Sequence, residues 1–208
     1  MTSITVEKFL DSCQTGDILL YSTSLWYSKI IEKCTGSKYS HISIILRDPV
    51  YIDPKLKGLY ILESGFERTP DPTDGKIKFG VQIKSLNEVL ESYESSWLGT
   101  LYYRKLECTR DELFYEKLDK IYNIVYDKPY DINLCDWIKA AFKIDIGNEH
   151  KTNTFWCSAL VAFIYCKMNL LENVPWTMVS PKEFSYYEDS NSLKFINCVL
   201  NKEQYIEF

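Results

Sequence analysis

The chain is short of the residues that build metal centres and disulfide scaffolds. It has two histidines, His41 and His150, and seven cysteines, an odd number. None of the cysteines, at positions 13, 34, 108, 135, 157, 166 and 198, forms a C-x-x-C pair. Structural zinc needs clustered Cys and His ligands, and a disulfide framework needs paired cysteines, so neither is expected, and a cytoplasmic or other reducing compartment suits the composition. Long apolar runs are missing as well. The longest, around Phe155 to Cys166, falls far short of the roughly 20 residues that cross a bilayer. The stretch Met1 to Leu10 carries Glu7 and Lys8 where a signal peptide has a basic and then an apolar segment. No transmembrane segment is therefore expected, although a membrane surface is compatible as a partner. Blocks of like charge are absent and the net charge is −5, which argues against nucleic acid as the main partner. With no internal repeat, low-complexity tract or linker, 208 residues at 46% hydrophobic content are expected to form a single domain, 1–208. No cofactor is expected, and the oligomeric state is left open.

What the chain does have is a cysteine at the head of an apolar helix signal. After Cys157 come Leu160, Val161, Ile164, Tyr165 and Met168 at helical spacing, which puts the thiol on the core-facing stripe. Thr152, Asn153 and Thr154 are candidate N-caps just upstream. A thiol in the first turn meets free backbone N–H groups and the positive end of the helix dipole, both of which favour a thiolate. The bland alternative is that Cys157 is a small apolar core residue.

In chain order, Thr5 to Ser12 reads as a short amphipathic helix, Thr15-Gly16-Asp17 as a turn and Ile18 to Tyr21 as a strand. Ser24 opens a second helix that Gly36 closes. His41 to Leu46 is a β-branched run suited to a central strand, and Leu59 to Ser64 is its expected antiparallel neighbour. A strand at Ile77 to Ile83, a helix at Ser85 to Tyr93 and a strand at Leu98 to Leu106 follow. Thr109-Arg110-Asp111-Glu112 reads as a capping box for the longest helix, with Leu113, Phe114, Leu118, Ile121, Tyr122 and Val125 as its stripe. Lys128-Pro129-Tyr130-Asp131 ends it. Another helix is expected from Asn133 to Phe142, and the polar stretch Asp145 to Thr154 is a candidate active-site loop. Ser180-Pro181-Lys182-Glu183 caps a last short helix, and Phe195 to Leu200 with Tyr205 to Phe208 are expected as edge strands.

A catalytic thiol needs a base, and the search is confined to His41 and His150. His41 begins a rigid strand, whereas His150 lies in a polar loop where a solvated histidine is ordinary. Glu63 shares a strand face with Ile61 and stands either exposed at an edge or buried as a partner. In the second case it is placed to orient His41, giving the order His41, Glu63, Cys157.

These residues carry a resemblance. Gly16-Asp17-Ile18, Thr35-Gly36-Ser37-Lys38-Tyr39-Ser40-His41, Leu62-Glu63-Ser64, Lys128-Pro129-Tyr130-Asp131 and Trp156-Cys157-Ser158-Ala159-Leu160-Val161 resemble the spaced motifs of the YiiX-like proteins. Those are circularly permuted members of the NlpC-type, papain-like superfamily, related to lecithin:retinol acyltransferases and a poxviral protein. The resemblance implies an α+β fold with a small antiparallel sheet and packed helices, in the permuted papain-like manner. It implies His41 as base, Glu63 as orienter and Cys157 as nucleophile. Ala159 and Ser64 depart from the family's usual acidic residue and alanine, positions that bear on substrate choice.

The expected function is thiol-dependent hydrolysis or acyl transfer at an amide or ester carbonyl. Aromatic residues near the proposed site favour a lipid or lipopeptide carrier. The competing readings are a non-catalytic lipid- or peptide-binding module and a structural viral or cellular protein whose cysteine is core, with the virion as compartment if it is viral.

Overall fold

The computed structural model describes residues 1–23, 36–66, 68–95, 99–131, 152–189 and 192–208. The expected helix from Ser24 to Gly36, the helix from Asn133 to Phe142, most of the Asp145 to Thr154 loop and His150 lie outside them.

The strands are β1 (Ser3–Thr5), β2 (Ile18–Thr23), β3 (His41–Arg47), β4 (Leu59–Phe66), β5 (Phe79–Ser85), β6 (Gly99–Arg104), β7 (Leu106–Glu107), β8 (Val199–Leu200) and β9 (Gln204–Glu207). The helices are α1 (Val6–Ser12), α2 (Leu86–Glu94), α3 (Glu112–Val125) and α4 (Cys157–Lys167). Seven strands form one sheet in the order β1-β9-β6-β2-β3-β4-β5, and β7 and β8 form a separate ribbon. The fold is α+β, as expected. The sheet, however, is larger than the small antiparallel one anticipated, and its β1–β9 pair is parallel. Residues 204–207 do not form an edge strand. They lie between β1 and β6, because a short N-terminal strand covers their outer side.

Side chains alternate across the sheet, as the period of a strand requires. Ile18, Leu20, Ile42, Ile44, Leu62, Val81 and Ile83 join one core with α3 and α4. Leu19, Tyr21, Ile45, Ile61, Leu101 and Tyr103 join the other with α1 and α2. The hydrophobic run from 155 to 166 becomes α4, which is buried on every side from Cys157 through Tyr165. A helix apolar all round must be enclosed rather than laid on a surface, so the single stripe read from the sequence understates its burial. Enclosing one side chain such as Leu160 contributes about 1.5–3 kcal/mol.

Two helix starts differ from expectation. The cap of α3 is Asp111, whose carboxylate accepts from the Phe114 N–H at 2.9 Å. That starts the helix two residues beyond the Thr109 box, and Leu113, out of phase with the buried Phe114, Leu118, Ile121, Tyr122 and Val125, is 69% exposed. The N-cap of α4 is Trp156, with no side-chain cap, rather than Thr152, Asn153 or Thr154. The capped short helix expected at Ser180 is present as a 3-10 turn, Pro181–Phe184, and the Ser180 N–H donates to Glu183 Oε2 at 2.7 Å.

Candidate active site

Antiparallel pairing brings the start of β3, the end of β4 and the start of β5 to one end of the sheet. His41 is paired with Tyr21, and Glu63 with Gln82. Glu63 is 3% exposed, so the exposed-edge alternative fails and the carboxylate is a buried partner. Its Oε2 lies 2.7 Å from His41 Nε2. The Gln82 amide donates to Oε1 at 3.4 Å. The Tyr21 ring meets the His41 ring edge-on at 5.0 Å. Beside them is Gly65, where a methyl group would stand 3.6 Å from both Glu63 Oε1 and His41 Cε1. That contact is ordinary, but anything larger than alanine would press on the pair.

The thiol is delivered by a chain of backbone contacts. The segment after α3 runs along the β5 edge, with the Val81 N–H donating to Lys128 O at 2.8 Å and the Tyr130 N–H to Phe79 O at 3.0 Å. Gly80 has φ +156, and a Cβ there would collide with the Lys128 carbonyl, so this close approach needs glycine. Phe155 then docks on that segment. Its N–H donates to Pro129 O at 3.2 Å, and its carbonyl accepts from the Asp131 N–H at 3.1 Å and the Ser64 hydroxyl at 2.6 Å. Ser158 Oγ and Trp156 Nε1 donate to Val179 O at 2.7 and 3.3 Å. Cys157, between them, is the first residue of α4 and 6% exposed. First-turn N–H groups have no partner within their helix and carry the positive end of its dipole.

The three sequence-predicted residues therefore converge. Cys157 lies close enough for its charge to act on the His41 ring, whose Nε2 is engaged by Glu63. Burial works against an imidazolium here. The negative charge and hydrogen bond of Cys157, and then those of Glu63, outweigh it and push His41 up to about 10. Tyr130 borders the same group. Burial, then the charges of Cys157, Asp131 and Glu63, raise its phenol well above the ordinary range, so it stays a neutral O–H.

Sequence reasoning missed Gln82, Tyr21 and the part played by Ser64. The available signal for Gln82 was a polar amide between Val81 and Ile83 in an apolar strand, opposite a buried glutamate. Ser64 and Tyr130 stood within quoted motifs, but the Ser64 contact reaches across 91 residues and the Tyr130 N–H bonds Phe79 on another strand, so no local pattern shows them.

No protein-family model matches the chain, and no curated protein matches it in sequence. Among solved structures it is similar to the crystal structure of metalloprotein yiiX from Escherichia coli O157:H7. The identity is 16% and the TM-score 0.50, with 94% of this chain and 97% of that one covered. At that identity the likeness is one of fold.

Proposed function

We propose that the chain is a cysteine hydrolase or acyltransferase of permuted papain-like design, acting on an amide or ester through Cys157, His41 and Glu63. The observation that carries this is the His41–Glu63 pair at 2.7 Å beside a cysteine at a helix start. In this reading Cys157 reacts as the thiolate, with His41 as imidazolium. The sulfur attacks the carbonyl carbon, and the resulting oxyanion is met by the Cys157 backbone N–H. As the C–N or C–O bond breaks, His41 gives its proton to the leaving group and a thioester remains. Neutral His41 then takes a proton from water or an acceptor alcohol or amine. That nucleophile displaces the thiolate, and the imidazolium is restored. Glu63 keeps the ring in place and supports its charge in both halves.

The name of yiiX raises the question of a metal. Among the described residues no three His, Cys, Asp or Glu side chains are grouped to hold an ion. His41 Nε2 and Glu63 Oε2 are spent on each other. The donor set does not fit a metal, and no step of the proposed reaction runs through one.

The carrier we favour is apolar, a lipid or lipopeptide. Phe66 and Phe79 are exposed, with ring centroids 5.9 Å apart, and Phe79 stacks on Tyr130 at 4.9 Å next to the thiol. Among the described residues no helix is long and apolar enough to cross a membrane. The test is incubation with acyl lipids and with acylated or cell-wall peptides, followed by mass spectrometry of the intact protein. An acyl adduct on Cys157 from the lipid is expected. An adduct from peptides alone reverses the carrier, and none from either class favours a binding module.

A further inference from the structure

Five cysteines are described and all are free thiols. Two of them stand one residue beyond the same end of the β7–β8 ribbon. Its register pairs Leu106 with Leu200 and Glu107 with Val199, and one further step sets Cys108 opposite Cys198. The register is fixed at its other end, where the Asn201 N–H donates to Lys105 O at 2.8 Å and the Asn201 side-chain amide to Glu107 Oε1 at 2.8 Å. Counting from the hydrogen-bonded pair of residues 105 and 201, Cys108 and Cys198 fall at a non-hydrogen-bonded step, where side chains approach most closely. Opposed Cα atoms at such a step lie about 4.5 Å apart, within the span a disulfide bridges. Both thiols are half-buried against the core around α4, and charge on Cys108 is felt at Cys198. Cys198 Sγ donates to the Leu170 carbonyl at 3.3 Å, a contact that closure of a disulfide would replace. Among the described residues Cys13 caps α1 and Cys166 lies on α4, away from the ribbon.

We propose that Cys108 and Cys198 are a redox pair that closes to a disulfide by exchange with a low-molecular-weight disulfide. One protein thiolate attacks the small disulfide and expels one small thiolate, leaving a mixed disulfide. The second protein thiolate displaces the other. The two protein S–H groups are oxidised, the small disulfide is reduced to two thiols, and those thiols carry the two protons away. Burial raises both cysteines, Cys198 to about 11, so exchange is slow at neutral pH. The bond would close the loop that contains α3 and α4, and would fix β8, whose Leu200 carbonyl holds Arg104 at 2.7 Å. This inference is independent of the proposed activity.

The experiment uses the full chain carrying Cys157→Ala, which removes the site thiol, and in parallel the wild-type chain. Each is equilibrated with oxidised glutathione at about pH 9, where thiolates are better populated. After alkylation, peptides are mapped without reduction. A single cross-linked peptide joining Cys108 to Cys198 is expected, with a melting temperature several degrees higher. Both should be reversed by dithiothreitol and absent in Cys198→Ser. Glutathione or alkyl label on Cys108 and Cys198 separately, a cross-link through another cysteine, or the same melting shift in Cys198→Ser would overturn it.

Discussion

Two buried clusters in this molecule contain a cysteine, a carboxylate and a basic group, and only one of them has the parts the proposed reaction needs. Cys13, Asp17, Arg47 and Arg110 form the first; Cys157, Glu63 and His41 form the second. Asp17 accepts from the Tyr103 hydroxyl at 2.6 Å, the Gln14 and Leu106 N–H groups at 2.8 and 2.9 Å, and Arg110 at 3.0 Å. Glu63 has the His41 ring and one long bond from Gln82. Arg47 spends its guanidinium on the Cys13 and Leu10 carbonyls, so it is a brace, and neither arginine changes charge near neutrality. Cys13 closes the C-terminal end of α1, and its burial, which outweighs the favourable charge of Arg47, pushes the thiol up to about 11. Cys157 opens α4 and faces a histidine that can give and take a proton. The end of the helix and the kind of base separate the two clusters; burial and composition do not.

The largest effect follows from exchanging the roles of the two cysteines. Cys157→Ala should lower turnover of any substrate found by about three orders of magnitude or more, as loss of a nucleophile does. Cys13→Ala should leave the rate per folded molecule unchanged. Iodoacetamide at neutral pH should modify Cys157 well before Cys13. Equal rates for Cys157→Ala and the wild-type chain would erase the distinction between the clusters.

Next comes the base. His41→Ala removes a general acid and base and should cost about 10²–10⁴-fold in rate. Glu63→Gln should cost less, because an amide can still hold the ring while its charge is lost. Rates at fixed substrate decide the order. A more damaging Glu63→Gln would mean that the carboxylate does more than orient.

The third contrast is the pH dependence of the rate, in which only the histidine cluster should take part. His41 is raised from 6.5 to about 10, so its proton is retained through neutrality. The stability it contributes is fully present below pH 6.5 and is lost as the pH rises through about 10. Activity needs the same proton for the leaving group, so kcat/KM should fall on the alkaline side through that value. Glu63→Gln removes part of what holds the proton and should move the alkaline limb to lower pH. A limb that stays put would show that Glu63 does not support the charge.

The sequence made this site legible because the search was small. With His41 and His150 as the only bases, strand context chose between them, and the β-branched run around Ile42–Leu46 and the apolar run after Cys157 are strong local signals. The β3–β4 pairing followed from the loop signals between the strands. Less visible were features set by distant partners. β1 has three residues and gains its identity only from β9, the cap of α3 was decided between Thr109 and Asp111 by tertiary fit, and Gln82 has meaning only across the sheet from Glu63. The resemblance in motifs pointed to His41, Glu63 and Cys157 as one group but said nothing of the clamp on Phe155.

A smaller effect is expected from the structural cluster. Asp17→Asn leaves Arg110 and three donors around a neutral amide, and should destabilise the fold by about 3 kcal/mol, the scale for breaking a buried pair. Denaturant midpoints measure it. Turnover per folded molecule should not change, which a parallel rate measurement checks. A selective loss of rate with unchanged stability would mean that the two clusters communicate.

The smallest effect, and the finest test of how the site is held, is at Ser64. Its hydroxyl gives one buried hydrogen bond to the Phe155 carbonyl at 2.6 Å, two residues before the thiol. Ser64→Ala removes the donor but leaves that carbonyl accepting from the Asp131 N–H at 3.1 Å, so the carbonyl is not orphaned and the loss of stability should be about 1 kcal/mol. The rate should fall further than stability alone implies, by a few-fold, because the Phe155 strand sets where α4 begins and hence where the sulfur meets His41. The loss should appear in kcat rather than KM, since Ser64 is buried and aimed at backbone. Unchanged kcat with reduced stability would show that the Pro129 and Asp131 contacts position the thiol by themselves, leaving Ser64 a packing residue.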